Sequence, residues 1–119
     1  MTRTTPERID TLPENGVFVF GSNAEGQHGA GAALLACERF GAVTGEGEGL
    51  QGQSYAIPTM SGLPELAAAA QRFIEFASDH PGLEFYLTKV GCGIAGHDES
   101  DVAPLFADAP DNVIRPPRW

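Results

Sequence analysis

The sequence predicts an α/β fold in which a central mixed sheet is flanked by helices, and three observations carry that expectation. Residues 17–20, continuously apolar, and residues 54–57 are short runs of the kind that form strands. Segments with apolar residues at helical spacing separate these runs. Twice, a strand-like run stops at a glycine-bearing loop before a segment that reads as helical.

Residues 1–15 are polar and contain Pro6 and Pro13, so they read as a lead-in to a turn at Glu14, Asn15 and Gly16. Val17, Phe18, Val19 and Phe20 make the first strand. Ala30, Ala33, Leu34 and Cys37 recur at helical spacing, predicting a helix over residues 29–39 with Gly41 as its C-terminal cap. Residues 42–53 are glycine-rich without a regular pattern and read as a mobile connection. Glu46 and Glu48 between the glycines argue against a phosphate cradle there. Residues 54–57 form the second strand, ended by Pro58. Pro64 suits the first turn of a helix whose apolar stripe is Leu66, Ala69, Phe73 and Phe76. Residues 79–82 end it, and residues 84–90 supply a third strand. A helical turn is expected within residues 98–106, where Pro104 is tolerated if Asp101 is the N-cap. Residues 112–114 complete the set as a short strand. Right-handed crossovers place such helices over the faces of a sheet, and the ligand of an open α/β sheet sits at the carboxyl ends of its strands.

At 119 residues the chain is expected to be one domain over residues 16–119 after the lead-in of residues 1–15. Sixteen acids against seven Lys and Arg give a net charge of -9, which disfavours a broad nucleic-acid or anionic-membrane surface. A small anion is still compatible, because backbone amides and helix termini hold phosphate without lysines. Cys37 and Cys92 lie far apart among small apolar residues and make no metal or redox motif, as suits reduced thiols in the cytoplasm. His28, His80 and His97 do not make a zinc site, and neither a metal nor a cofactor is expected. Residues 1–11 lack the apolar core of a signal peptide, and no run approaches a membrane span.

The chemistry is expected at the two glycine loops. The first runs through Gly21, Ser22 and Asn23 to His28, Gly29, Ala30 and Gly31, where glycines leave backbone amides open to a ligand. The second comprises Gly91, Cys92, Gly93, Ile94, Ala95 and Gly96, followed by His97. Two such loops in a short chain point to a nucleotide or diphosphate cleft.

Gly21-Ser22-Asn23, His28-Gly29-Ala30-Gly31, Phe40-Gly41 and the block from Val90 to Gly96, with its following acidic turn and Val102, together resemble the macrodomain family. The likeness is to the compact branch that binds ADP-ribose and removes it from modified side chains or bases, and to small macro-like proteins of bacteria and phages. It spans roughly residues 17–114 and is sharp in those blocks. The resemblance implies a compact macrodomain-like fold. It implicates Asn23, His28, Gly29, Ala30 and Gly31 around the distal ribose and nearby phosphate, with Gly21 and Ser22 leading in. It likewise implicates Gly91, Cys92, Gly93, Ile94, Ala95 and Gly96 around the diphosphate. One branch of the family uses a lysine after the middle strand and an aspartate after the Gly-Cys-Gly block. Pro58-Thr59-Met60 and Ala95 stand there instead. The usual acid near the start of the first strand is missing from Gly16-Val17-Phe18, leaving Asp10 or Glu14 to supply it. A lysine-dependent reaction is therefore not expected, while a route through bound water and substrate phosphate stays open.

Each candidate also has an ordinary reading. Asn23 either holds a ribose hydroxyl or caps the following turn. His28 is an acid, base or phosphate donor, or else a surface histidine. Asp98 either meets ligand or water or caps the next helical turn, and His97 beside it shares that choice. Cys92 has no definable histidine–acid partner that would make it a nucleophile. Lys89 either neutralises a phosphate or points away. Trp119 covers an apolar edge, supports self-association into a homo-oligomer, or belongs to a frayed terminus. The function expected is binding of ADP-ribose or a related nucleotide diphosphate. Weak hydrolysis would use a water placed by Asn23, His28 or Asp98 as catalytic groups. The alternatives are a ligand-free interaction protein whose pocket is filled by Leu50, Gln51 or Met60, and a phage or defence factor that sequesters a NAD-derived nucleotide.

Overall fold

Strand β1 (Gly16–Ser22) runs through the middle of the sheet with six of its seven residues buried. In the computed structural model, which describes residues 4–6, 9, 11–22, 31–92 and 95–119, it pairs in parallel with β3 (Ser54–Pro58) and β4 (Glu84–Leu87). The short β5 (Val113–Ile114) continues the parallel set beside β4, and β2 (Gly49–Gln51) adds antiparallel to β3. The described residues thus form a five-stranded mixed sheet of order β2-β3-β1-β4-β5. Because β1 is covered on both faces, its residues need not alternate in polarity. Val17 and Val19 enter one core cluster, while Phe18 and Phe20 enter the other.

Helix α2 (Leu63–Ser78) covers the first face with Leu66, Ala69, Ala70, Phe73, Ile74 and Ala77. Phe73 is its centre: the rings of Tyr55, Phe85 and Phe106 lie 5.0, 5.5 and 6.1 Å away, all edge-on. The turn α3 (Glu99–Val102) and the 3₁₀ turn of Ala103–Phe106 share that face through Val102 and Phe106. Helix α1 (Gly31–Arg39) lies on the opposite face, where Ala33, Ala36 and Phe40 pack with Phe18 and Phe20. The expected central mixed sheet flanked by helices is therefore present.

Several boundaries differ from the sequence reading. The stretch expected to be a mobile connection contains β2, because the buried Gln51 organises it. Its side-chain oxygen accepts from Val43 N at 2.8 Å, and its amide donates to Glu46 O at 2.9 Å. Gly41 follows α1 with φ 79°, as a C-terminal cap requires, and it meets Gly52 backbone to backbone. A Cβ on Gly52, whose φ is 59°, would stand 2.9 Å from Gly41 Cα and 3.0 Å from Phe40 O. The third strand ends at Leu87 rather than residue 90, where Thr88 turns the chain and Val90 N donates back to Thr88 O at 2.8 Å. Asp98, not Asp101, is the N-cap of α3, and Pro104 falls in the first turn of the separate 3₁₀ segment. The polar lead-in is tied to the sheet: Thr5 N donates to Arg115 O at 2.8 Å, and Ile9 is buried against the α1 face. No helix among the described residues is long and apolar enough to cross a membrane.

Candidate functional site at the carboxyl ends of strands β1 and β4

The chain leaves β1 toward β3 and leaves β4 toward β5, although β1 and β4 are neighbours. Their connections therefore diverge, with α1 on one face and α3 on the other. This is the topological switch point at which open α/β sheets form a crevice. Both glycine loops of the sequence start here, Gly21 and Ser22 ending β1, and Gly91 following β4 by four residues.

The two loops touch at their roots. A Cβ on Gly21 would lie 3.3 Å from Thr59 Cγ2 and 3.4 Å from Gly91 N, so a larger residue would push the strands' ends apart. Gly91 has φ 79°, and a Cβ there would approach Leu66 Cδ2 to 3.1 Å and His97 Cδ2 to 3.2 Å. Thr59, just past β3, fastens the arrangement. Its N–H and hydroxyl both donate to Ser22 O, at 2.7 and 3.1 Å. Thr88, just past β4, does the same on the other side, its hydroxyl donating to Val19 O at 2.7 Å. The sequence reading gave neither threonine a role, naming Thr59 only within the Pro58-Thr59-Met60 that replaces the lysine region. Their signal is weak, a hydroxyl residue in the first or second position after a strand.

His97 closes the second loop. Its backbone N–H donates to Gly91 O at 2.8 Å, and its ring Nε2 lies 3.2 Å from Thr59 O. A carbonyl oxygen only accepts, so Nε2 carries the hydrogen in this contact. Within this frame Gly91 is buried, and its own N–H meets no acceptor among the described residues. A buried backbone donor without a partner is rare and costs free energy until something accepts from it.

The remaining sequence candidates divide. Asn23, His28, Gly29, Ala30, Gly93 and Ile94 lie outside the described residues, and Gly31 opens α1. Cys92 has its N–H engaged with Lys89 O at 3.2 Å and its thiol directed at Val90 O, 3.7 Å away. Burial pushes that thiol's pKa up, with Glu99's charge adding to the effect, so it stays protonated and is a poor nucleophile. Ala95 is half-buried, and Gly96 is exposed with φ 77°. Asp98 is exposed and caps α3 through its backbone carbonyl alone, which accepts from Asp101 N and Val102 N at 3.0 and 3.2 Å. Lys89 is exposed and pairs with Glu99 at 3.4 Å. Leu50 and Met60 are 44% and 51% exposed, and Gln51 is spent on its own loop. Trp119 covers Phe106, the rings stacked 6.0 Å apart. Cys37 and Cys92 are both free thiols.

Comparison of this chain with protein-family models, with curated proteins and with solved structures gives no match.

Proposed function

We propose that this chain is a compact macrodomain-like protein that binds ADP-ribose or a related nucleotide diphosphate across the carboxyl ends of β1 and β4. The observation that carries the reading is the N–H of the buried Gly91, which has no acceptor among the described residues and stands beside Gly21 at the switch point of the sheet. A phosphate oxygen is a fitting acceptor for such an amide, and glycines on both sides let it approach the backbone. Thr59, Thr88 and His97 take no ligand in this reading. They hold the two loop roots at a fixed separation, so the site is formed before the ligand arrives.

Binding is the primary activity, and slow release of ADP-ribose from a modified acceptor accompanies it. That release uses a water positioned against the substrate's own phosphate, and no covalent intermediate on Cys92 is involved.

Calorimetric titration with ADP-ribose, ADP and NAD tests the binding claim. Saturable heat with ADP-ribose, at a Kd below about 1 mM, is the expected result. No heat from any of the three at about 1 mM contradicts the proposal. Release from an ADP-ribosylated acceptor is then measured for Asn23→Ala and His28→Ala, and an unchanged rate in both removes those two residues from the chemistry.

A further inference from the structure

The second region with unspent chemistry lies on the far side of β4, where residues 115–119 cross the carboxyl ends of β4 and β5. Two cavities of about 400 and 490 Å³ adjoin there, sharing Pro116 and Arg118 in their walls. On a chain of net charge -9, three of the five described cations, Lys89, Arg115 and Arg118, line these two cavities. Arg115 is already engaged, donating to Phe106 O at 3.3 Å. Lys89 is held loosely by Glu99 at 3.4 Å, and Glu99's other oxygen accepts from Trp119 Nε1 at 2.8 Å. Arg118 makes no hydrogen bond or ion pair among the described residues.

Arg118 is also out of place in its backbone. Residues 116–119 form a turn in which Trp119 N donates to Pro116 O at 3.0 Å, and Arg118 occupies the third position with φ 71°. It is the sole non-glycine residue with positive φ among those described. That position of such a turn favours glycine or asparagine, and a branched-off Cβ there is disfavoured. A residue kept against the local preference of its turn points to a role for its side chain.

We propose that the larger cavity binds a small planar organic anion, its carboxylate or phosphate head taken by the Arg118 guanidinium with Lys89 beside it. The guanidinium fork matches two oxygens of one head group. The rings of Pro6, Pro116 and Pro117 give the cavity apolar walls for a flat body. The hydroxyls of Thr5 and Thr88 in the same wall do not compete as donors, because both donate inward, to Ile114 O and Val19 O at 2.7 Å each. The side-chain donors of the wall are thus both cationic, and its one carboxylate, Glu99, already accepts from Trp119 and Lys89, which leaves the Arg118 guanidinium to select an anion over a neutral analogue. This site is separate from the Gly21–Gly91 crevice, and its test uses no nucleotide.

Trp119, the chain's one tryptophan, is bonded to Glu99 in the wall of this cavity and reports on it by fluorescence. The intact chain is titrated with benzoate and with phenyl phosphate to about 10 mM, and with neutral benzamide over the same range. Saturable change with either anion, and none with benzamide, is expected, and the lower midpoint identifies the preferred head group. Arg118→Gly relaxes the turn, so it should melt no lower than the parent while weakening the anion at least about tenfold. Arg118→Lys keeps the charge without the fork and should weaken it as well. Saturation by benzamide like that by benzoate, no change with either anion, or an Arg118→Gly variant that binds as the parent does would each overturn the proposal.

Discussion

Two glycine-rich stretches of this chain, residues 41–52 and residues 91–96, look alike in sequence and are used in opposite ways. In the first, Gly41 and Gly52 press backbone against backbone, closing α1 onto the β2–β3 hairpin. Gln51 then consumes the polar groups of the loop, at Val43 N and Glu46 O. In the second, Gly91 sits at the meeting of two diverging strands, and its buried N–H is left without an acceptor among the described residues. Glycine content does not separate a structural corner from a ligand site. On the proposed function, position relative to the end of a central parallel strand does, together with whether the local polar groups are already paired.

Substitutions at the two stretches should therefore have different signatures. The largest expected effect on stability is from Gly52→Ala. Its Cβ meets backbone atoms that cannot swing away, and its φ of 59° disfavours any side chain. A loss of about 3 kcal/mol is expected from strain plus overpacking, read as a lower urea midpoint. Affinity for ADP-ribose per folded molecule should not change. Gln51→Ala follows, at about 2 kcal/mol, because the buried glutamine's two part-buried hydrogen bonds, to Val43 N and Glu46 O, are lost. Its ligand affinity should also match the parent's.

Gly91→Ala inverts that pattern. The neighbours of its new Cβ are side-chain ends of Leu66 and His97, which yield, so the stability loss should be about 1–2 kcal/mol from the φ of 79°. The ADP-ribose Kd should rise at least about tenfold, a ligand effect that Gly52→Ala lacks. Equal ligand effects in the two variants would erase the distinction between the stretches.

The last effect is a pH dependence at Tyr55 of β3, beside the first stretch. Tyr55 is buried beside Glu48, and burial, reinforced by that carboxylate, pushes its pKa up to about 12 from the ordinary tyrosine value of 10.0. The folded state therefore holds the phenol proton more tightly than the unfolded chain does. Stability from this source is fully present below pH 10 and is lost as pH rises from 10 toward 12. Urea midpoints measured across that window should fall more steeply for the parent than for Tyr55→Phe. Parallel curves would show that Tyr55 is not the group responsible.

Much of this architecture is legible in the residues themselves. The apolar run Val17 to Phe20 announces a strand buried on both faces, and Leu66, Ala69 and Phe73 announce the face of α2 that reaches the core. What escapes is what depends on contacts distant in sequence. Strand β2 is three residues at a sheet edge, stabilised by a glutamine whose partners cannot be guessed from propensity. Thr59 and Thr88 become fasteners only because β3 and β4 flank β1, and the sequence does not announce that order. At the site, Gly21 and Gly91 were readable as glycines that admit a ligand. The commitment of the Cys92 N–H to Lys89 O was not, and it removes one of the amides that the resemblance implies for the diphosphate.

The central claim is that the ligand enters between β1 and β4 and leaves residues 41–52 untouched. A nitrogen-15 NMR titration of the intact chain with ADP-ribose tests it residue by residue. The account predicts saturable shifts of the backbone amides of Ser22, Gly91 and His97, with those of Gly45, Gly49 and Gly52 unmoved. Shifts centred on the latter group, or no saturable shift at Gly91, would contradict it.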